Sequence, residues 1–159
     1  MAQNTALCGI AERKICMIKI LFICHGNICR SPMGQYVLQD MVNKAGRTAD
    51  FEIDSAAVSR EEIGNPVYPP ARRELQKHGI RCDGHAARQV TMEDYRHFDR
   101  IYYMDGSNAR WLARLLPRDP DKIRPLLERD VADPWYTGDF AQTFEDITEG
   151  CERILEEFK

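Results

Sequence analysis

At 159 residues, with 43% hydrophobic and 30% charged side chains, the chain has the size and composition of one globular domain with one packed core, not of a disordered or fibrous protein. A net charge of −3 argues against general nucleic-acid binding, which needs a basic face, so any anion site here is local. No apolar run approaches the roughly 20 residues of a membrane span.

The first 16 residues are polar and interrupted, and they read as a flexible N-terminal extension. A domain over residues 17–159 starts naturally at Met17. Ile18 to Ile23 is an apolar run rich in isoleucine, the pattern of a strand buried in a parallel sheet. Next comes Cys24-His25-Gly26-Asn27-Ile28-Cys29-Arg30-Ser31-Pro32, and then a helical pattern carrying Tyr36, Val37, Leu38 and Met41 that ends near Ala45-Gly46. Ser31 suits the N-cap of that helix and Pro32 its first turn. Phe51 to Val58 reads as a second strand, completing a βαβ unit with a right-handed crossover.

Further on, Ala71 to His78 is helical, with Leu75 facing inward and Gly79 as its stop. Thr91 caps a short helix, with Asp94 placed to complete a capping box. Arg100 to Met104 is a third strand, and Ser107 to Leu116 a helix capped by Ser107 or Asn108. A fourth strand is expected over Ile123 to Leu127. Asp130 to Gly138 is a loop holding Asp133-Pro134-Trp135-Tyr136. Phe144, Ile147, Cys151, Ile154, Leu155 and Phe158 then recur at helical spacing in a closing helix from Phe140. Strands alternating with helices give an α/β fold, a three-layer α/β/α sandwich around a mostly parallel sheet. Ligands bind such folds outside the carboxyl ends of the strands. Cys24, Asp105 and the Asp133 loop each follow a predicted strand, so all three fall on that edge.

The strand-to-helix loop from Cys24 to Arg30 carries the chemistry. Backbone N–H groups converge in such a turn, and the positive end of the helix points into it. Arg30 offers a planar fork of donors to two oxygens of one phosphate, and Ser31 can donate a hydroxyl hydrogen bond toward the Cys24 sulfur. A thiol at a helix N-terminus beside a guanidinium is a nucleophile near neutral pH. Cys24 and Cys29 have the wrong spacing for a zinc knuckle, and no lysine closes the loop as an NTP-binding loop requires. No metal and no cofactor are expected. Displacing a phosphoryl group onto sulfur also needs a proton for the departing oxygen. Asp133 is the candidate acid, with Trp135 and Tyr136 as walls for a flat substrate ring.

Cys24-x-Gly-Asn-Ile-Cys-Arg-Ser-Pro resembles the signature of the low-molecular-weight protein tyrosine phosphatases, and the resemblance runs from Met17 to Lys159. It implies a four-stranded parallel sheet in the flavodoxin-like order 2-1-3-4. It also implies a phosphomonoesterase working through a phosphocysteine, with Cys24, Arg30 and Asp133 catalytic. The phosphate-binding loop is then His25, Gly26, Asn27, Ile28, Cys29 and Ser31, supported by Ser55 and His85. In this family a cysteine at the place of Cys29 can form a reversible, protective disulfide with the nucleophile; a small buried residue is the equal alternative. Asp105 reads as a structural carboxylate and not a second acid. Two positions depart from the pattern. His25 stands where Leu, Thr or Val is common, and Glu61 stands where several eukaryotic members carry a tryptophan against the substrate ring. The Arg60-Glu61-Glu62 run otherwise reads as solvated surface.

Three other functions share parts of this equipment. Arsenate reduction on the same scaffold needs further cysteines to relay a disulfide, and Cys82 stands alone in its region. Members resembling protein arginine phosphatases carry Thr at the place of Ile28, and the apolar Ile28 favours phosphotyrosine. A non-catalytic phosphate-binding module needs neither nucleophile nor acid. The expected partner is therefore a phosphotyrosine-containing protein, with no nucleic acid and the oligomeric state open. The six cysteines (8, 16, 24, 29, 82 and 151) show no secreted disulfide framework and no stretch reads as a signal peptide, so a reducing cytoplasm is the expected compartment.

Overall fold

The chain is described by a computed structural model over residues 17–159; the expected extension over residues 1–16 lies outside the described residues. The elements are β1 (Ile18–Cys24), α1 (Arg30–Lys44), a 3-10 turn (Thr48–Asp50), β2 (Phe51–Ala57), α2 (Pro69–Lys77), α3 (Met92–His97), β3 (Arg100–Tyr103), α4 (Gly106–Leu115), β4 (Ile123–Pro125), α5 (Pro134–Thr137) and α6 (Phe140–Glu157). The strands form one sheet in the order β2-β1-β3-β4, and every neighbouring pair is parallel, with Cys24 opposite Ala57 and Ile23 opposite Tyr103. This is the architecture expected from the alternation of strands and helices, in the expected order. Among the described residues no helix is long and apolar enough to cross a membrane.

The apolar stretch from Ile20 to Ile23 within β1 has a direct cause. Side chains alternate between the two faces of a strand, and both faces of this one are covered. Ile20 and Phe22 enter one core with Met33, Val37 and Leu38 of α1 and with Ile147, Cys151 and Ile154 of α6. Leu21 and Ile23 enter the other core with Val58, Val90, Phe98, Ile101 and Leu112. All four of these β1 residues are fully buried, each contributing about 1.5–3 kcal/mol relative to an exposed side chain. Gly34 lets α1 lie directly on Phe22, because a Cβ there would stand 2.7 Å from the ring. The start of α1 is thereby held beneath the carboxyl end of β1, where the loop from Cys24 to Arg30 lies.

Several local expectations shift for identifiable reasons. α1 begins at Arg30 with Cys29 at the N-cap position and no side-chain cap, because the Ser31 hydroxyl is used elsewhere. α2 starts at Pro69, with both prolines in its first turn, where their missing N–H groups cost nothing. The Thr91–Asp94 capping box of α3 is present as expected. α4 instead starts earlier, at Gly106, with Asp105 as its N-cap and Asn108 as the reciprocal partner. β4 is only three residues long and ends at Pro125, which has no N–H for the ladder. Beyond it, the N–H of Val131 donates to the carbonyl of Met104 at 2.8 Å. That bond returns the chain to the end of β3 and delivers Asp133 to the sheet edge that carries Cys24. Asp133 then caps the short helix α5, which Gly138 closes in the left-handed conformation (φ 72°).

Candidate active site

The loop between β1 and α1 is held open by its own carbonyls. Those of Cys24 and His25 accept from the N–H groups of Val58 and Ser59, that of Asn27 from the His85 ring, that of Ile28 from Tyr68, and that of Cys29 from Met33. In a trans peptide the next residue's N–H points the opposite way. The N–H groups of Gly26, Ile28, Cys29 and Arg30 therefore face away from these partners. Asn27 makes the turn possible: its φ is 61°, the only left-handed non-glycine residue among those described.

Around the Cys24 sulfur the hydrogen bonds have a defined direction. The Asn27 backbone N–H donates to Sγ at 3.3 Å, and Ser31 Oγ lies 3.1 Å from Sγ. Ser31 Oγ already accepts from the Asn27 side-chain amide at 2.8 Å, so its hydroxyl proton is free to donate to the sulfur. The same amide donates to Ser55 Oγ at 3.0 Å, and Ser55 passes its own proton to Gln35 at 2.6 Å. The His85 ring donates from Nε2 to the Asn27 carbonyl at 2.7 Å, because a carbonyl can only accept. Burial pushes its imidazole below the usual range and so favours the neutral ring. Asn27, Ser31, Ser55 and His85 thus form one network beneath the loop. Cys29 is buried beside Cys24; burial first, and then the neighbouring Cys24, push its thiol far above the usual range, so it is held neutral. Both cysteines are free thiols.

Arg30 is 2% exposed although it carries a full charge. Its guanidinium donates to Asp105 at 2.7 Å, to the carbonyl of Val131 at 2.9 Å and to Asp133 at 3.3 Å. Burial works to lower its pKa, but the neighbouring Cys24, Asp133 and Asp105 outweigh that and raise it. Burial works to raise the Asp105 pKa, yet the bonds from Arg30 and Asn108 hold this carboxyl below its usual range. Asp105 therefore has a structural part, as expected: it caps α4 and orients Arg30. Asp133 accepts the Trp135 N–H on one oxygen and faces Arg30 with the other.

These groups surround a cavity of about 150 Å³ lined by residues 24–26 and 28–30 together with Glu61, Glu62, Asp133, Trp135 and Tyr136. The proposed nucleophile, arginine, acid and aromatic pair are thus brought together, with Trp135 54% and Tyr136 84% exposed at the mouth. Arg60 and Glu61 are exposed, in keeping with the solvated-surface reading, but Glu61 and Glu62 also line the pocket. Glu61 accepts from the His25 ring at 3.2 Å, and Glu62 packs over Gly26, where a Cβ would meet its Cγ at 3.2 Å. Sequence reasoning also missed Tyr68, whose ring lies 4.9 Å from that of Trp135, and Trp111, set edge-on to His25 at 5.9 Å. A Tyr ahead of Pro69-Pro70 carries no signal that its ring backs a wall 67 residues away in sequence.

Comparison with known proteins agrees with this geometry. Residues 19–159 match the family model described as low molecular weight phosphotyrosine protein phosphatase. The chain is 38% identical over 147 residues to the low molecular weight protein-tyrosine-phosphatase YfkJ of Bacillus subtilis, covering 87% of this chain and 94% of that protein. It is 37% identical over 148 residues to the human low molecular weight phosphotyrosine protein phosphatase, covering 87% and 92%. The crystal structure of YfkJ superposes with a TM-score of 0.85 over 89% of this chain and 94% of that one. A Drosophila arginine phosphatase, at 31% identity, superposes at 0.79 over 89% and 98%. With a matching family model over all but the first 18 residues, relatives at this identity along almost their whole length, and one fold throughout, the chain belongs to the low molecular weight phosphotyrosine protein phosphatase family.

Proposed function

We propose that this domain, residues 17–159, hydrolyses phosphotyrosine in proteins through a phosphocysteine on Cys24. The observation that carries the reading is the convergence of the Cys24 thiol, the buried Arg30 guanidinium, the Asp133 carboxyl group and an aromatic wall on a single small cavity. Cys24 Sγ attacks phosphorus in line; the S–P bond forms as the bond to the phenolic oxygen breaks. Arg30 and the loop N–H groups hold the three equatorial oxygens, and more tightly as charge spreads onto them in the transition state. Asp133 gives its proton to the departing phenolic oxygen. It then takes a proton from the water that attacks phosphorus, which returns Cys24 as thiolate and releases phosphate. Asn27, Ser31, Ser55 and His85 hold the loop in shape. A phosphate oxygen and Asp133 compete for the same edge of Arg30, so substrate binding frees Asp133 for its acid role. A thiolate nucleophile suits a reducing compartment, and we place the protein in the cytoplasm.

Phosphoarginine is the second reading, favoured by the carboxylates of Glu61 and Glu62 at the pocket mouth, which can accept a guanidinium. Apolar Ile28 beside the pocket and the aromatic pair favour the phenyl ring. Steady-state hydrolysis of matched phosphotyrosine, phosphoarginine and phosphoserine peptides in EDTA tests both, and phosphotyrosine is expected to be the best substrate by kcat/KM. Asp133→Asn is expected to slow hydrolysis of a plain phenyl phosphate by about 10²-fold, because phenolate leaves poorly without a proton. In kcat/KM, which reports formation of the phosphocysteine alone, a nitrophenyl ester, whose leaving group needs no proton, should lose far less, although its turnover is slowed by the missing base. Equal losses of kcat/KM on both esters would remove Asp133 from the acid role.

A further inference from the structure

The Asn27 amide is gripped at both ends, and one residue reaches both grips. Its Oδ1 accepts the backbone N–H of Arg88 at 3.1 Å, and its Nδ2 donates to Ser55 and Ser31. The Arg88 guanidinium makes two parallel bonds to Asp94, at 2.8 and 3.0 Å, and a third to Asp54 at 3.1 Å. Asp54 in turn accepts the N–H of Ser55, the residue that receives the amide nitrogen, at 2.7 Å. Asp94 is itself fixed by its capping box with Thr91. We propose that Arg88 is a positioning residue for the phosphate loop, setting the direction of the Asn27 amide and through it the Ser31 hydroxyl that faces Cys24.

Turning the amide over would set an NH₂ group against the Arg88 N–H and a carbonyl oxygen against Ser31 and Ser55. That breaks the bond from the Arg88 N–H and leaves two donors facing each other. It would also turn the Ser31 proton toward the amide oxygen and away from the sulfur. The segment that carries Arg88 also carries His85, whose ring holds the Asn27 carbonyl. The main chain of this segment is tied to the end of β2, with the Ala57 N–H on the Arg88 carbonyl at 2.7 Å. The guanidinium ties the same segment to α3 and to Asp54 within β2. Arg88 does not line the cavity, so it acts through Asn27 and not on substrate. Lysine is a poor substitute, because an ammonium group cannot make the paired bonds to Asp94.

The test compares Arg88→Met, Arg88→Lys and Asp54→Asn with the wild type, each judged folded by its melting transition. The rate arm rests on the phosphatase reading; the second arm, alkylation of Cys24 by iodoacetamide measured on the peptide that carries it, does not. Arg88→Met is expected to lower kcat about tenfold with KM within about twofold, and to slow Cys24 alkylation about fivefold. Arg88→Lys should recover part of both losses, and Asp54→Asn should move both in the same direction by less. If all three melt lower yet keep wild-type kcat and alkylation rate per folded molecule, Arg88 serves stability alone and the proposal is overturned. Should Arg88→Met not fold, Asp54→Asn decides. Should the wild type hydrolyse none of the peptides, the phosphatase reading fails by itself and the alkylation arm decides this inference.

Discussion

Replacing Cys24 with serine removes turnover, by roughly 10⁴-fold or more in kcat, while leaving phosphate binding nearly intact. A serine hydroxyl at this place keeps the shape of the site and can still accept the Asn27 N–H and the Ser31 hydroxyl that now serve the sulfur. It is a far weaker nucleophile, because it stays protonated at the pH at which a thiol supplies thiolate. In the proposed mechanism phosphate is held by different atoms, the loop N–H groups and Arg30. Calorimetric titration with inorganic phosphate should therefore give a Kd within about threefold of the wild type. The two measurements together separate a lost nucleophile from a lost site. Residual turnover within tenfold of the wild type would mean that the phosphoryl group does not pass through Cys24.

Arg30→Lys is expected to lower kcat/KM by roughly 10²–10³-fold, and Arg30→Ala by more. Lysine keeps the charge but cannot give two parallel donors to two phosphoryl oxygens. Nor can it bond Asp105, Val131 and Asp133 at once, as Arg30 does. Stability should fall too. Arg30→Ala leaves a partly buried Asp105 without its cation, a change that costs about 3 kcal/mol in comparable pairs. The pH dependence follows from the same contact. Asp105 is held below its ordinary value of 3.8, against burial, chiefly by Arg30. It therefore binds protons less readily in the folded than in the unfolded chain, and the resulting stability is present above pH 3.8 and lost as the pH falls through the lowered native value. In Arg30→Ala that acid-side loss should shrink, which thermal melts between about pH 2 and 6 would show. A variant as active as the wild type would remove Arg30 from transition-state binding.

The residues that were legible in the sequence are those whose signal is local. The Ile18–Ile23 run shows a strand covered on both faces because the four side chains from Ile20 to Ile23 are all buried and none is polar, while Lys19 sits at the half-buried start of the strand. The spacing of Cys24 and Arg30 across a strand-to-helix turn announces an anion loop because backbone geometry at such a turn is nearly fixed. Thr91 and Asp94 meet across one helical turn, so their box could be read directly. Ser31 could not be read in this way. A serine at a helix start can cap the helix or serve a distant group, and here the Cys24 sulfur and the Asn27 amide claim it. Asp105 over Ser107 as the cap of α4 turns on where the chain leaves β3, which periodicity does not fix. Glu62, Tyr68 and Arg88 were invisible as site residues, and Glu61 was marked by the resemblance alone, because their partners lie 36 to 67 positions away or stand across the sheet edge. Only the closing of the sheet brings them to the loop, and no local pattern encodes that meeting.

The central claim is that a phosphoryl group resides on Cys24 during turnover. Mixing the Asp133→Asn variant with a labelled nitrophenyl phosphate and quenching in alkaline denaturant within milliseconds traps this species, because the first step then needs no proton while the second lacks its base. The expected result is label approaching one phosphoryl group per chain, carried on the peptide that holds Cys24 and absent from Cys24→Ser. Label on any other residue, or rapid hydrolysis with no covalent label at all, would contradict it.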